Sequence, residues 1–331
     1  MDQPCLTIMA DGMGGDSRGH WHIHTGPDMD RRPPVCADKP PYCVPSMDQI
    51  RALPWNGYKV ATTFAGGGGS STGYRMAGFK VIWANEIVPI ARDSYAANMG
   101  EDTILDVRDI RQVEPDEILA ATGLRAGELD LFDGSPPCVS FSTAGRREKN
   151  WGKVTQSHDI RQRHDDLFFE YARLLGGLQP KVFVAENVSG LIKGTAKGYF
   201  LDILAALKAR GYRVEARLLD AQWLGVPQAR QRLIFVGVRE DIGLLPAFPK
   251  PLPYRYSVRE ALPWIDEAVH DTSGLFSIGN VTDRPCPTVT LNAAHYRVHR
   301  ISGDVESDAW MTRYATSQEW RTLSVGGQSE K

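Results

Sequence analysis

From Tyr58 to Arg239 the chain alternates short β-branched and aromatic runs with longer amphipathic ones, and that alternation leaves few folds open. "YKVATTFA", "KVIWANE", "LDLFDG", "KVFVAENV" and "RLIFVGVR" read as strands. Between them, "GGGGSSTGYRMAG" reads as a glycine turn running into a helix, and "ARDSYAANM", "DDLFFEYARLLGGL" and "GYFLDILAALKARG" read as helices. Strands separated by helices cannot pair as hairpins; they lie side by side with the helices packed on both faces. The prediction is an α/β fold built on a doubly wound, mostly parallel sheet. Outside this block the pattern is lost. Residues 1–56 are rich in Gly, Pro, Asp and Met, and "RRPPVCADKPPYCVP" predicts an extended connector. After Glu240, prolines at 246, 249, 251, 253, 263, 285 and 287 break the chain into short pieces. The expected organisation is an N-terminal arm over 1–56, an α/β domain over 57–240 and a smaller, irregular region over 241–331.

An open parallel sheet binds its ligands beyond the carboxyl ends of its strands, so the residues at those ends are the ones to inspect. The first strand delivers "FAGGGGSSTG" into a helix, and bare glycine backbone lets a ligand approach closely. Such a turn serves nucleotide, flavin and nicotinamide sites alike, and it also occurs as a purely structural turn. Glu86 ends the next strand, where an acid can accept hydrogen bonds from ribose hydroxyls. Further on, "DGSPPCVSFS" places Cys138 after two prolines at a turn instead of inside an apolar pattern, where a structural cysteine would sit. Glu186 falls at another strand end. A thiolate is a soft, strong nucleophile, and an acid opposite it can protonate the ring or carbonyl that the sulfur attacks.

Composition narrows the remaining classes. The formal charge of -2 gives no overall attraction to a polyanion, so any nucleic-acid site is a local patch. One such patch follows the cysteine directly: residues 144–163 carry six Lys or Arg against two acids. No apolar run reaches the length of a membrane span, and the N-terminus lacks the basic-then-apolar order of a signal peptide, so a cytoplasmic protein without membrane contact is expected. The five cysteines are scattered without a CxxC pair, which predicts neither a disulfide framework nor a metal cluster.

Four separated stretches, "FAGGGGSSTGYRMAGFKVIWANE", "GSPPCVSFS", "ENVSGL" and "QARQRLIFVGV", together resemble the signature segments of the DNA cytosine C5-methyltransferases, in family order and on the expected strand ends. The resemblance runs over about residues 58–240 and implies a Rossmann-like S-adenosylmethionine-dependent methyltransferase domain followed by a target-recognition region. Carried across by residue, it assigns Phe64, Gly66, Gly68, Ile87 and Pro136 to the S-adenosylmethionine pocket and Glu86 to its ribose. Asp109 is assigned to the adenine amino group, with Asp106 as the rival. Cys138 would attack C6 of cytosine and turn C5 into an enamine-like carbon able to take the methyl group. Glu186 would hydrogen-bond or protonate N3, and Asn187 would brace the loop. Arg232 would contact the cytosine O2 and Arg230 the loop or phosphates. Because C5 is buried in the duplex stack, the base must be extruded, and Arg146, Arg147, Lys149 and Lys153 would offset that cost at the phosphates of double-stranded DNA. A monomer is expected.

The chain also departs from the family pattern. Val139 stands where Gln is common. "RPCPTVT" at 284–290 matches a late family segment, but no final "GN" segment follows it; "SIGNV" at 277–281 comes too early. The reading "YATSQEWRTLSVGGQSEK" ends like the interior of a recognition domain, so a missing C-terminal portion is expected. A permuted order is the alternative, since "QPCLTIMADG" near the start resembles "RPCPTVTLNA". His295, Tyr296, Arg297, His299 and Arg300 form a basic and aromatic cluster that suits either DNA or a surface turn. Three other readings stay open: an RNA cytosine C5-methyltransferase, a DNA-binding relative without turnover, and a nicotinamide dehydrogenase, the last of which predicts neither the Pro-Cys pair nor the paired arginines.

Overall fold

The computed structural model describes residues 6–8, 39–99, 102–137, 156–157, 160–161, 167–192, 196–263, 269–271, 279–280, 283–287 and 296–298. They divide into two compact units drawn from interleaved stretches. The larger takes in Met1–Met29, Val44–Leu219 and Gln231–Pro249, and the smaller Asp30–Cys43, Asp220–Arg230 and Lys250–Lys331.

The larger unit is built on one eight-stranded sheet. Its strands are β1 (Leu6–Ile8), β2 (Lys59–Thr63), β3 (Lys80–Asn85), β4 (Ile104–Asp106), β5 (Leu131–Gly134), β6 (Val182–Val188), β7 (Tyr212–Asp220) and β8 (Gln231–Arg239). They lie in the order β1-β7-β8-β6-β5-β2-β3-β4. Strands β6, β5, β2, β3 and β4 run parallel to one another, joined through helical crossovers. Strand β8 enters antiparallel to β6, and β1 is antiparallel to β7. The doubly wound, mostly parallel expectation holds, with an antiparallel margin beyond β6.

Helices α2 (Gly69–Met76), α3 (Pro89–Met99), α4 (Pro115–Thr122), α5 (Leu167–Leu178) and α6 (Ala196–Lys208) supply the crossovers, and a short α1 (Met47–Arg51) precedes β2. Helix α5 buries seven of its twelve residues, Leu167, Phe168, Tyr171, Ala172, Leu174, Leu175 and Leu178, as its 3.6-residue apolar repeat requires. Phe168 meets Phe235 of β8 edge to face. Tyr171 stacks on Phe132 of β5 at 4.8 Å between ring centroids, and its hydroxyl donates to the carbonyls of Phe132 and Val184. On the other face Ala65, Ala84, Tyr95 and Met99 form a second, smaller core.

Alternation along the strands therefore sorts side chains by face. In β6, Phe183, Ala185 and Asn187 are buried, and Val182, Val184, Glu186 and Val188 are half-buried on the opposite side. In β5, Phe132 turns toward α5, whereas Asp133 bonds to α2.

The smaller unit holds the segments "PQAR" and "RPCP" together as a parallel pair, with Gln228 opposite Cys286 and Ala229 opposite Pro287. The Cys286 N–H also donates to the Pro227 carbonyl at 2.8 Å. A separate three-stranded sheet orders Gly279–Asn280, Val269–Asp271 and Tyr296–Val298. Thus Gly279–Asn280 of "SIGNV" and Tyr296 and Arg297 of the basic cluster lie in strands; His295, His299 and Arg300 fall outside the described residues.

Candidate active site

The glycine turn forms at the carboxyl end of β2. Phe64 is held at φ 53°, a left-handed conformation that a bulky residue adopts only when its surroundings over-determine it. Gly66 follows at φ 56°, and Gly68, at φ 91°, is the N-cap of α2. A Cβ on Gly68 would lie 3.3 Å from the Tyr95 ring, so this position combines a backbone demand with a spatial one. At Gly66 a Cβ would meet nothing within 4 Å, which leaves open room beside the exposed turn.

Glu86 follows β3 directly and is only 7% exposed. Its carboxylate accepts the N–H of Gly66 through Oε2 and of Val88 through Oε1, each at 2.8 Å. The turn and the acid are thus bonded to each other, and the carboxylate keeps lone pairs for further donors. Ile87, beside it, is exposed. An open glycine cradle and a fixed acceptor at the next strand end would suit a cofactor with a ribose diol, whose hydroxyls donate and need such an acceptor.

The two aspartates considered for the adenine group have different employment. Asp106 ends β4, and its carbonyl accepts the Glu86 N–H at 3.1 Å. Burial raises its carboxyl, but hydrogen bonds from the Arg108 side chain and backbone outweigh this, and the net shift is downward. Asp109 caps the short 3₁₀ turn Ile110–Gln112, accepting the N–H of Arg111 and its guanidinium at 2.9 Å each. Both lie on the segment that continues from β4 beside Glu86.

The second cluster gathers around the ends of β5 and β6. Ser135 donates through Oγ to the Phe64 carbonyl at 3.0 Å, tying the cysteine loop to the glycine turn. Gly134 is required just before it: a Cβ there would come within 2.5 Å of Thr63 Oγ1 and of the Tyr171 ring. Pro136 is buried, and its carbonyl accepts Asn187 Nδ2 at 3.3 Å. Asn187 is itself buried and also accepts the Val188 N–H through Oδ1. This asparagine braces the chain two residues before Cys138. Cys138, Arg146, Arg147, Lys149 and Lys153 lie outside the described residues.

On the opposite face of β6 from Asn187, Glu186 pairs with Arg232 at Nε to Oε1 2.5 Å. The register explains the contact: Arg232 lies opposite Val188, which places Glu186 as its diagonal neighbour on the same face. Both side chains are part-exposed, 35% and 23%, so the pair is open to a ligand and contributes only about 0–1 kcal/mol to the fold. Arg230 belongs to the smaller unit. Its N–H donates to Asp220 Oδ1 at 3.2 Å, and its carbonyl accepts the Ala221 N–H.

One site feature escaped the sequence reading: the carboxylate of Asp133, buried inside β5 among hydroxyls. The only signal was an acid inside the apolar run "LDLFDG".

The family profile for C-5 cytosine-specific DNA methylase matches residues 58–295. The Type II methyltransferase M.NgoPII of Neisseria gonorrhoeae is 32% identical over 196 residues, 59% of this chain and 52% of that protein. M1.HphI of Haemophilus parahaemolyticus is 34% identical over 194 residues, 59% of this chain and 49% of that protein. The chain spans about half the length of the curated relatives it matches. Among solved structures, an E. coli prophage-encoded DNA modification methyltransferase aligns with TM-score 0.52 and 25% identity over 65% of this chain and 58% of its own. A Spodoptera frugiperda DNMT2 variant shares the fold, with TM-score 0.51 and 20% identity over 80% and 82%. With its glycine turn, Pro-Pro-Cys loop and Glu-Asn strand end in order along one sheet, and the profile spanning most of its length, the chain belongs to the C-5 cytosine-specific DNA methylases.

Proposed function

We propose that this protein transfers a methyl group from S-adenosylmethionine to C5 of a cytosine turned out of duplex DNA, through a covalent bond between Cys138 and C6. The observation that carries this reading is the adjacency of Glu186 and Arg232 on one face, beside the strand end where Asn187 braces the cysteine loop. A cytosine offers N3 and O2 side by side on one edge, and two neighbouring side chains of these types suit that edge. Type II methyltransferases among the relatives support double-stranded DNA as the substrate.

When bound, S-adenosylmethionine supplies an electrophilic methyl group. Glu86 holds the ribose side of its pocket, Phe64, Gly66, Gly68, Ile87 and Pro136 line it, and Asp109 or Asp106 reaches the base. The Cys138 sulfur adds to C6, and Glu186 holds a proton at N3 so that negative charge does not build up on the ring. Arg232 donates to O2 and steadies the same charge. After methylation, a water molecule takes the C5 proton, the electron pair of the C5–H bond forms the C5–C6 double bond, and the C6–S pair leaves with the sulfur as thiolate, which restores the aromatic ring. Arg146, Arg147, Lys149 and Lys153 hold phosphates and offset the few kcal/mol of base extrusion. Arg230 supports the loop or a phosphate.

The test supplies labelled S-adenosylmethionine with duplex DNA and with RNA of matched sequence. Label on C5 of cytosine in DNA alone is expected. Label only in RNA, or tight DNA binding without any transfer, would overturn the reading.

A further inference from the structure

Asp133 is a buried titratable group for which the proposed chemistry has no use. It is 6% exposed. Its Oδ2 accepts the hydroxyls of Thr62 and Ser70, each at 2.8 Å, and its Oδ1 accepts the Tyr74 hydroxyl at 2.9 Å. Thr62 lies on β2, whereas Ser70 and Tyr74 stand one turn apart on the same side of α2. Ser70 is in the first turn of that helix, directly after the glycine turn, and is exposed on its outer side. One carboxylate therefore joins its own strand β5 to the neighbouring strand β2 and to helix α2.

No cation is among these partners. Among the described residues, the titratable groups facing Asp133 are Tyr74 from α2, Tyr95 from α3 and Tyr171 from α5. Burial pushes all three upward, and the neighbouring carboxylate pushes them further, so they stay neutral at ordinary pH. Burial likewise raises the Asp133 carboxyl from its usual 3.8; the three hydroxyls and the Gly134 N–H oppose this without cancelling it. A raised carboxyl gives the folded state an advantage only when protonated. That advantage is full below the unfolded value and disappears as pH rises through the folded one, so wherever the carboxylate is ionised its charge weighs against the fold. A charge kept where it opposes stability, and aimed at the start of a functional helix, points to position as its role.

We infer that Asp133 is a positioning residue for the cofactor turn: its carboxylate clamps Ser70 and Tyr74 to the strand that runs into Cys138, and so fixes the glycine turn relative to Ser135 and Pro136. The consequence for S-adenosylmethionine rests on the function proposed above; the clamp itself does not. An asparagine has the same shape but carries donors where an oxygen accepted, so one hydroxyl bond must reverse or break.

Asp133→Asn and, separately, Ser70→Ala test this in the full chain. Amide hydrogen exchange over residues 69–74 is expected to quicken in both variants, with β2 and β5 unchanged, while the Tm of Asp133→Asn at neutral pH stays level or rises. S-adenosylmethionine affinity, measured by calorimetry, is expected to fall about tenfold in Asp133→Asn. In the native chain affinity weakens as pH falls and Asp133 takes up its proton, and Asp133→Asn lacks that component. Unchanged exchange in α2 would overturn the clamp, as would a lower Tm with the affinity and its pH profile intact. A native chain that binds no S-adenosylmethionine would sink the cofactor reading, and the exchange data would still decide the clamp.

Discussion

Glu86 and Glu186 stand near the carboxyl ends of two strands of the same sheet, yet they are held in different ways. Glu86 is buried and bonded to two backbone N–H groups, one from the glycine turn and one from its own strand end. Glu186 is part-exposed and bonded to the guanidinium of Arg232 on the next strand. Main-chain donors cannot leave, so Glu86 is a fixed acceptor, suited to a ligand that needs the same geometry at every turnover. A side-chain partner can turn away, so the Glu186 pair can open and present both groups to an arriving base. The half of the sheet proposed to hold the cofactor is preset by backbone; the half proposed for the chemistry is held by an exchangeable ion pair.

The largest expected effect breaks the exchangeable pair. Glu186→Ala should lower the rate of methyl transfer by about 10²–10⁴-fold, with the Tm changed little because a part-exposed pair holds little of the fold; single-turnover kinetics beside thermal unfolding check this. Glu86→Gln should act on the other half alone. Its cofactor affinity should fall by about tenfold, consistent with the loss of a charge-assisted bond, while binding of DNA, measured without cofactor, stays as it was. A Glu86 variant that loses DNA binding instead would erase the distinction between the halves. Asn187→Ala leaves the buried Pro136 carbonyl without its described donor and should cost about 1–3 kcal/mol of stability in denaturant unfolding. The smallest effect concerns the basic stretch. Replacing Arg146 and Arg147 together by Ala should reduce the slope of log affinity against log salt by about 2, and an unchanged slope would remove those residues from the phosphates.

The central strands were legible because they are short runs rich in β-branched and aromatic residues, set between stretches of helical pattern. Strand β7 was missed although "YRVEARLLD" alternates plainly: Tyr212, Val214 and Ala216 are buried between Arg213, Glu215 and Arg217. Its charged residues interrupt any apolar run. Strands β1 and β4 are three residues each, too short to show a period, and their place follows from the sheet they join. Helix α4 begins at Pro115 and carries its own capping pair, Glu114 and Glu117, a local signal that was present and not read. In the site, residue types at strand ends pointed to Glu86 and Glu186. Their partners were not legible, because bonds such as Gly66 to Glu86 or Arg232 to Glu186 depend on register between segments far apart in sequence. Asp133 was invisible for a related reason: only the packing of α2 over β5 turns an acid in a strand into a clamp.

The most direct test of the account is a covalent trap. On the proposed mechanism, a DNA duplex carrying 5-fluorocytosine, incubated with S-adenosylmethionine, would hold the protein at the stage before the C6–S bond breaks, because fluorine replaces the proton that must leave C5. A denaturation-resistant complex with the native chain, absent with Cys138→Ser, is the predicted result. The same complex formed by Cys138→Ser would contradict the assignment of the nucleophile and the mechanism built on it.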